Sequence, residues 1–171
     1  MGTVKFVFGL VCLAVVGFGG LPDRDLLGAR ERVVAIASSQ VGVREASGRN
    51  DGKEVEAYLA YVGLKKGQPY CAAWVSWVFG QAGYARPRTG WSPALLPASK
   101  ITKGGVPGNI MGIWFPSLNR IGHVGIVERK RKDWCQTLEA NTDLEGNREG
   151  QGVYRRLRHQ RTIHSYSNWL D

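Results

Sequence analysis

Residues 70–82 read Tyr-Cys-Ala-Ala-Trp-Val-Ser-Trp-Val-Phe-Gly-Gln-Ala, without a charge on any side. A helix of that composition has no face to give to water, so it belongs at the centre of a fold and must be covered all round. Pro69 upstream and Gly80 and Gly83 downstream mark its limits, which predicts a buried helix from Cys71 to Ala82. The rest of the chain has to supply the cover. Ala29, Val33, Ile36 and Ala37 follow helical spacing, with Gly42 as a stop. A second helix is predicted to open at Asp51 with Glu54 three residues on, a capping-box-like start. It carries Val55, Tyr58, Leu59 and Val62 on one face before Gly63.

The pattern then changes. Residues 85–108, rich in Pro, Gly and Ser, predict a long connecting loop. Ile110–Phe115, His123–Glu128, Trp134–Ala140, Val153–Arg158 and Thr162–Tyr166 are β-branched and aromatic stretches between turn residues, and read as strands. Helices first and an antiparallel meander afterwards predict an α+β fold rather than a βαβ repeat. A length of 171 residues suits one domain, and 43% hydrophobic with 22% charged residues excludes a disordered, collagen-like or multi-span membrane chain.

At the N-terminus Lys5 precedes the uncharged run Phe6 to Phe18, followed by Gly19 and Gly20. That is the layout of a secretory signal peptide, expected over residues 1–20. Asp23, Arg24 and Asp25 end the run early for a membrane span, so an uncleaved anchor is the weaker alternative, and Leu10-Val11 before Cys12 lacks the small residue expected before a lipidated cysteine. The expectation is a secreted, periplasmic or cell-envelope protein with no stable membrane association after cleavage. The net charge of +9, less Lys5, favours an anionic partner such as nucleic acid, anionic lipid or an acidic wall polymer. Cleavage leaves only Cys71 and Cys135, too few for a disulfide framework and without the spacing of a zinc site. A bridge between them would consume one candidate nucleophile, so two free thiols are expected.

Cys71 stands in the first turn of the buried helix, where unpaired N–H groups and the positive end of the helix dipole favour a thiolate. By itself it could equally be a small buried apolar residue. His123 lies in Ile-Gly-His-Val-Gly-Ile-Val, where alternation sets His123, Gly125 and Val127 against Val124 and Ile126. Gly125 beside the imidazole is expected to leave room for a thiol and a substrate. His159 and His164 sit among charged or terminal residues and lack this setting. In the next strand Glu139 and Asn141 share a face, and either could accept the second ring N–H of His123, as a cysteine–histidine pair requires. Cys135 is four residues from Glu139, ~13 Å along a strand, and is expected to lie outside the chemistry.

Gly-Gln-Pro-Tyr-Cys-Ala-Ala-Trp at 67–74, Gly-His-Val-Gly-Ile-Val-Glu at 122–128 and Thr-Leu-Glu-Ala-Asn-Thr-Asp at 137–143 together resemble the CHAP family of cysteine- and histidine-dependent amidohydrolases and peptidases, within the NlpC-type papain-like superfamily. The resemblance covers about residues 30–160 and implies a domain over residues 28–166. It implies a papain-like arrangement, with N-terminal helices and a central buried helix packed on an antiparallel sheet. It implies Cys71 as nucleophile, His123 as general base and then acid, and Glu139 or Asn141 as orienter. The substrate implied is peptidoglycan, cut at an amide of a stem peptide or cross-bridge by an endopeptidase or an N-acetylmuramoyl-L-alanine amidase.

Two departures matter. The Asp-x-Asp cluster of calcium-binding members is missing, Asn50-Asp51 being too sparse, so no metal and no cofactor are expected. Many members carry a glutamine adjacent to the cysteine; here Tyr70 has that place and Gln68 stands three residues before Cys71, and both are expected to face substrate. The alternative function is a non-catalytic wall-binding module or inhibitor on the same scaffold. A nucleic-acid binder is disfavoured by the leader and the lack of a binding motif. A monomer is expected.

Overall fold

The computed structural model describes residues 24–170; the expected leader lies outside the described residues. Three α-helices come first: α1 (Arg24–Ser39), α2 (Lys53–Tyr61) and α3 (Cys71–Gln81). Six strands follow: β1 (Ile101–Thr102), β2 (Ile110–Phe115), β3 (Arg120–Arg131), β4 (Trp134–Thr142), β5 (Gly152–His159) and β6 (Ser165–Ser167). They form one antiparallel sheet in the order β1-β6-β2-β3-β4-β5, so the architecture is α+β. β2 to β5 are the expected meander. β6 instead crosses back to pair with β2 on its other side, and β1 is added at that edge.

α3 is buried as its composition demands, with Trp74, Val75, Val78 and Phe79 fully covered. α1 contributes Val33 and Ala37 to the same core, α2 contributes Val55, Tyr58 and Leu59, and the sheet contributes Ile110, Val124, Ile126, Leu138 and Val153. Truncating a side chain such as Trp74 or Phe79 to alanine would cost about 3–5 kcal/mol. A smaller cluster of Met111, Val127, Cys135, Ile163 and Tyr166 forms separately. Among the described residues no helix is long and apolar enough to cross a membrane.

Two local expectations are corrected. Asp51 does not cap α2: it accepts from the Ser47 N–H at 2.9 Å and the Ser47 hydroxyl at 2.7 Å, closing the preceding loop. The helix begins after Gly52, whose N–H donates to Glu56 Oε1 at 3.2 Å, so the backward reach falls to Glu56 rather than Glu54. Residues 85–108 are also more than loop, containing 3-10 turns at Ser92–Leu95 and Ala98–Lys100 besides β1. Ser76, buried inside α3, both donates to the Thr89 carbonyl at 2.8 Å and accepts the Thr89 N–H at 3.0 Å. Ser167 Oγ and Trp169 Nε1 donate to the Leu95 carbonyl from the other side, at 2.6 and 2.9 Å. The Ser92–Leu95 turn is thereby held against the start of α3.

Candidate active site

Cys71 opens α3 and is 5% exposed, with that exposure directed into a cleft it lines together with Gln68, Trp91, Ser92 and Gly122. Its Sγ lies 3.5 Å from Ser92 Oγ. The N–H groups of this first helical turn have no partner within the helix.

His123 reaches the site from β3. Ile113 pairs with His123 but Trp114 with Ile121, so Gly122 is an extra residue in β3. Such a bulge resets the alternation and re-aims the side chains beside it. Here Ile121, Val124 and Ile126 all join the core that contains α3. Nε2 of His123 is 2.9 Å from Glu139 Oε2, and Nδ1, which makes no hydrogen bond, is the ring nitrogen left for the thiol.

Glu139 is completely buried yet well supplied with donors. Thr137 Oγ1 donates to Oε1 at 2.6 Å, and Arg158 from β5 donates through Nε to Oε1 at 2.9 Å and through Nη2 to Oε2 at 2.6 Å. This forked guanidinium contact is the strong form of such a bond. Gly125 makes it possible: a Cβ there would lie 2.6 Å from Glu139 Cγ and 2.8 Å from the Leu138 carbonyl oxygen. The glycine therefore makes room for the carboxylate, not for thiol and substrate as expected from the sequence.

Burial alone would push the carboxyl of Glu139 up, but Arg158 and His123 outweigh it and hold it well below the usual carboxylate range. Burial would likewise push His123 down. The nearby Cys71 sulfur and the hydrogen bond to Glu139, with their negative charges, overcome that and raise the imidazole to about 9. The Cys71 thiol, which burial would raise, is lowered by His123, then by Ser92 and the Val124 N–H. The three shifts run the same way, each toward the charged form of its group.

The remaining expected residues divide. Asn141 does not reach the imidazole: its Oδ1 accepts the Tyr70 N–H at 2.9 Å and its Nδ2 donates to the Arg148 carbonyl at 3.0 Å. Its φ of 58° turns the end of β4 toward α3. Gln68 lines the cleft, whereas the Tyr70 side chain is 0% exposed and stacks near Tyr58, so it is a core residue without access to substrate. His159 and His164 are occupied with Trp134 and Trp114. Both Cys71 and Cys135 are free thiols. Arg158, Thr137 and Ser92 were not anticipated. Arg158 lies on the predicted β5 strand, but its diagonal relation to Glu139 needs the β4–β5 register, and nothing local marks Ser92.

No family profile matches the sequence, and no curated protein matches it. Among solved structures, the wild-type endolysin LysIME-EF1 superposes with a TM-score of 0.51 at 17% identity, over 81% of this chain and 63% of that one. Ly7917 gives 0.47 at 19% identity, over 80% and 60%, and its structure with the hydrolyzing product of MDP gives 0.44 at 20%, over 80% and 61%. The chain thus spans less than two thirds of the length of each. The first likeness shows a shared fold between this α+β domain and part of an endolysin.

Proposed function

We propose that this protein is an exported cysteine hydrolase of amide bonds in peptidoglycan stem peptides or cross-bridges, of CHAP type. The observation that carries the reading is the row Cys71, His123, Glu139, with the thiol opening into a cleft and the carboxylate clamped behind the imidazole. The fold shared with an endolysin supports the cell wall as the substrate's source.

In this mechanism the Cys71 thiolate attacks the amide carbonyl carbon. The oxyanion that forms is met by N–H groups of the first turn of α3. Imidazolium His123 gives its proton to the departing amine, leaving an acyl-enzyme and a neutral imidazole. A water molecule then loses a proton to His123 as it attacks the thioester, and collapse releases the acid and restores the thiolate. Glu139 keeps the ring oriented and stabilises its charged form, and Arg158 with Thr137 keeps Glu139 ionised and fixed. Ser92 steadies the thiolate.

Purified peptidoglycan incubated with the protein should yield new amine and carboxyl termini by mass spectrometry, and none with Cys71→Ala. Fragments appearing equally with the alanine variant would refute the cysteine mechanism. Intact glycan and peptide after prolonged incubation with the unmutated protein would refute the substrate.

A further inference from the structure

The cleft in front of Cys71 has a volume of about 270 Å3 and is lined by two cations, Arg120 and Arg148, and by no carboxylate among the described residues. Arg148 belongs to the loop between β4 and β5, which is tied down along its length. Asp143 Oδ1 accepts from the N–H groups of Gly146 at 2.7 Å and Asn147 at 2.9 Å, and Thr142 Oγ1 donates to the Asn147 carbonyl at 2.7 Å. Asn141 then joins the Arg148 carbonyl to the N–H of Tyr70, the residue before the nucleophile. The buried amide therefore fixes the backbone that carries Arg148 against the backbone that carries Cys71.

Arg120 is the first residue of β3, three before His123, and its Nη1 donates to the Ile121 carbonyl at 2.9 Å. Arg148 pairs with Glu149, which is 58% exposed, and lies 6.0 Å from the Phe115 ring centroid. With Glu149 exposed and Arg148 half-buried, such a surface pair contributes little, and the guanidinium can exchange Glu149 for another carboxylate. Guanidinium groups match carboxylates in a planar two-bond geometry that a neutral amide cannot reproduce.

We propose that Arg148 and Arg120 form a carboxylate-reading subsite, so that the amide cleaved lies close to a free carboxylate and the substrate class is an anionic stem peptide rather than an amidated one. Asn141 is a positioning residue for this subsite. The inference rests on the peptidoglycan reading and goes beyond it by naming which chemical form of the peptide is taken.

The test uses muropeptides from one wall preparation, half of them converted from free carboxylic acids to primary amides with carbodiimide and excess ammonia. Unmutated protein should cleave the free-acid form with a kcat/KM about ten-fold or more above that of the amide form, the discrimination expected of a hydrogen-bonded charge. Arg148→Gln should remove most of that preference through a higher KM for the acid form, with Arg148→Lys intermediate, while the circular dichroism spectrum stays that of the unmutated protein as a check on folding. Equal rates on the two forms, or equal losses on both in Arg148→Gln, would overturn the subsite and leave cell-wall hydrolysis standing. Cleavage of neither form by the unmutated protein would remove the cell-wall reading and this inference with it.

Discussion

Cys71 and Cys135 are both buried, both free, and differently equipped. Cys71 begins a helix, touches a cleft and faces an imidazole backed by a clamped carboxylate. Cys135 lies inside β4 in the smaller apolar cluster, opposite Lys130 of β3 and Arg158 of β5, with its Sγ 3.3 Å from the Tyr166 hydroxyl. Burial alone does not distinguish the two; under the proposed function the difference lies in the imidazole beside Cys71 and in the cleft its sulfur lines.

The sharpest way to break this comparison is to remove each sulfur. Cys71→Ala should lower the hydrolysis of wall fragments by at least about 10^4-fold. Cys135→Ala should stay within about two-fold, because it only trims a side chain remote from the reacting groups. Comparable losses in the two variants would end the distinction. Next in size is the imidazole: His123→Ala should cost about 10^2–10^4-fold in kcat. His159→Ala and His164→Ala, whose rings pack on Trp134 and Trp114, should change it little. A loss at either position as large as that at His123 would mean the base has been misassigned.

A smaller effect tests what lies behind the imidazole. Arg158→Met leaves the Glu139 carboxylate buried with fewer donors, and unfolding by denaturant should register a loss of about 3–5 kcal/mol. In the unmutated protein kcat should fall as pH rises through about 9, where His123 loses the proton needed by the leaving amine. The same shift has a stability sign. His123 is raised on folding, so its contribution is complete below its ordinary value and is lost as pH climbs through about 9. In Arg158→Met the alkaline limb should move higher, since the imidazolium then has the carboxylate to itself. An unmoved limb would show that Arg158 is structural only. The smallest expected change is none: dialysis against EDTA should leave hydrolysis unaltered, since the sequence lacks a carboxylate cluster suited to calcium. Loss of activity restored by added calcium would show that thiol, imidazole and carboxylate are not sufficient.

Much of the molecule was legible from local pattern. The uniformly apolar α3 could only be central, and the strand runs from Ile110 to Arg158 are rich enough in β-branched and aromatic residues between turns to be placed within a few residues. Cys71, His123 and Glu139 stood out because a helix start, a glycine-flanked histidine and a period-two acid are each visible in a short window. Long-range pairing was not visible. Asn141 and Glu139 are two residues apart and looked interchangeable; the bulge at Asn141, with its φ of 58°, takes it out of the alternation, and it meets Tyr70 while Glu139 meets His123. The Asp51 misreading has a similar cause, since a carboxylate before a helix can bind forward to the helix or backward to its loop, and Ser47 offered two donors.

The hydrogen bond from Tyr70 to Asn141 spans 71 positions of the chain, and His123 and Glu139 reach Cys71 from comparably far away. During synthesis Cys71 is therefore made long before His123 and Glu139, and until the sheet closes its thiol lacks their influence. Long-range strand pairing forms late and cooperatively. Under the proposed function, hydrolytic power would come only with the completed sheet, and a partly folded chain would be chemically quiet toward the amides around it.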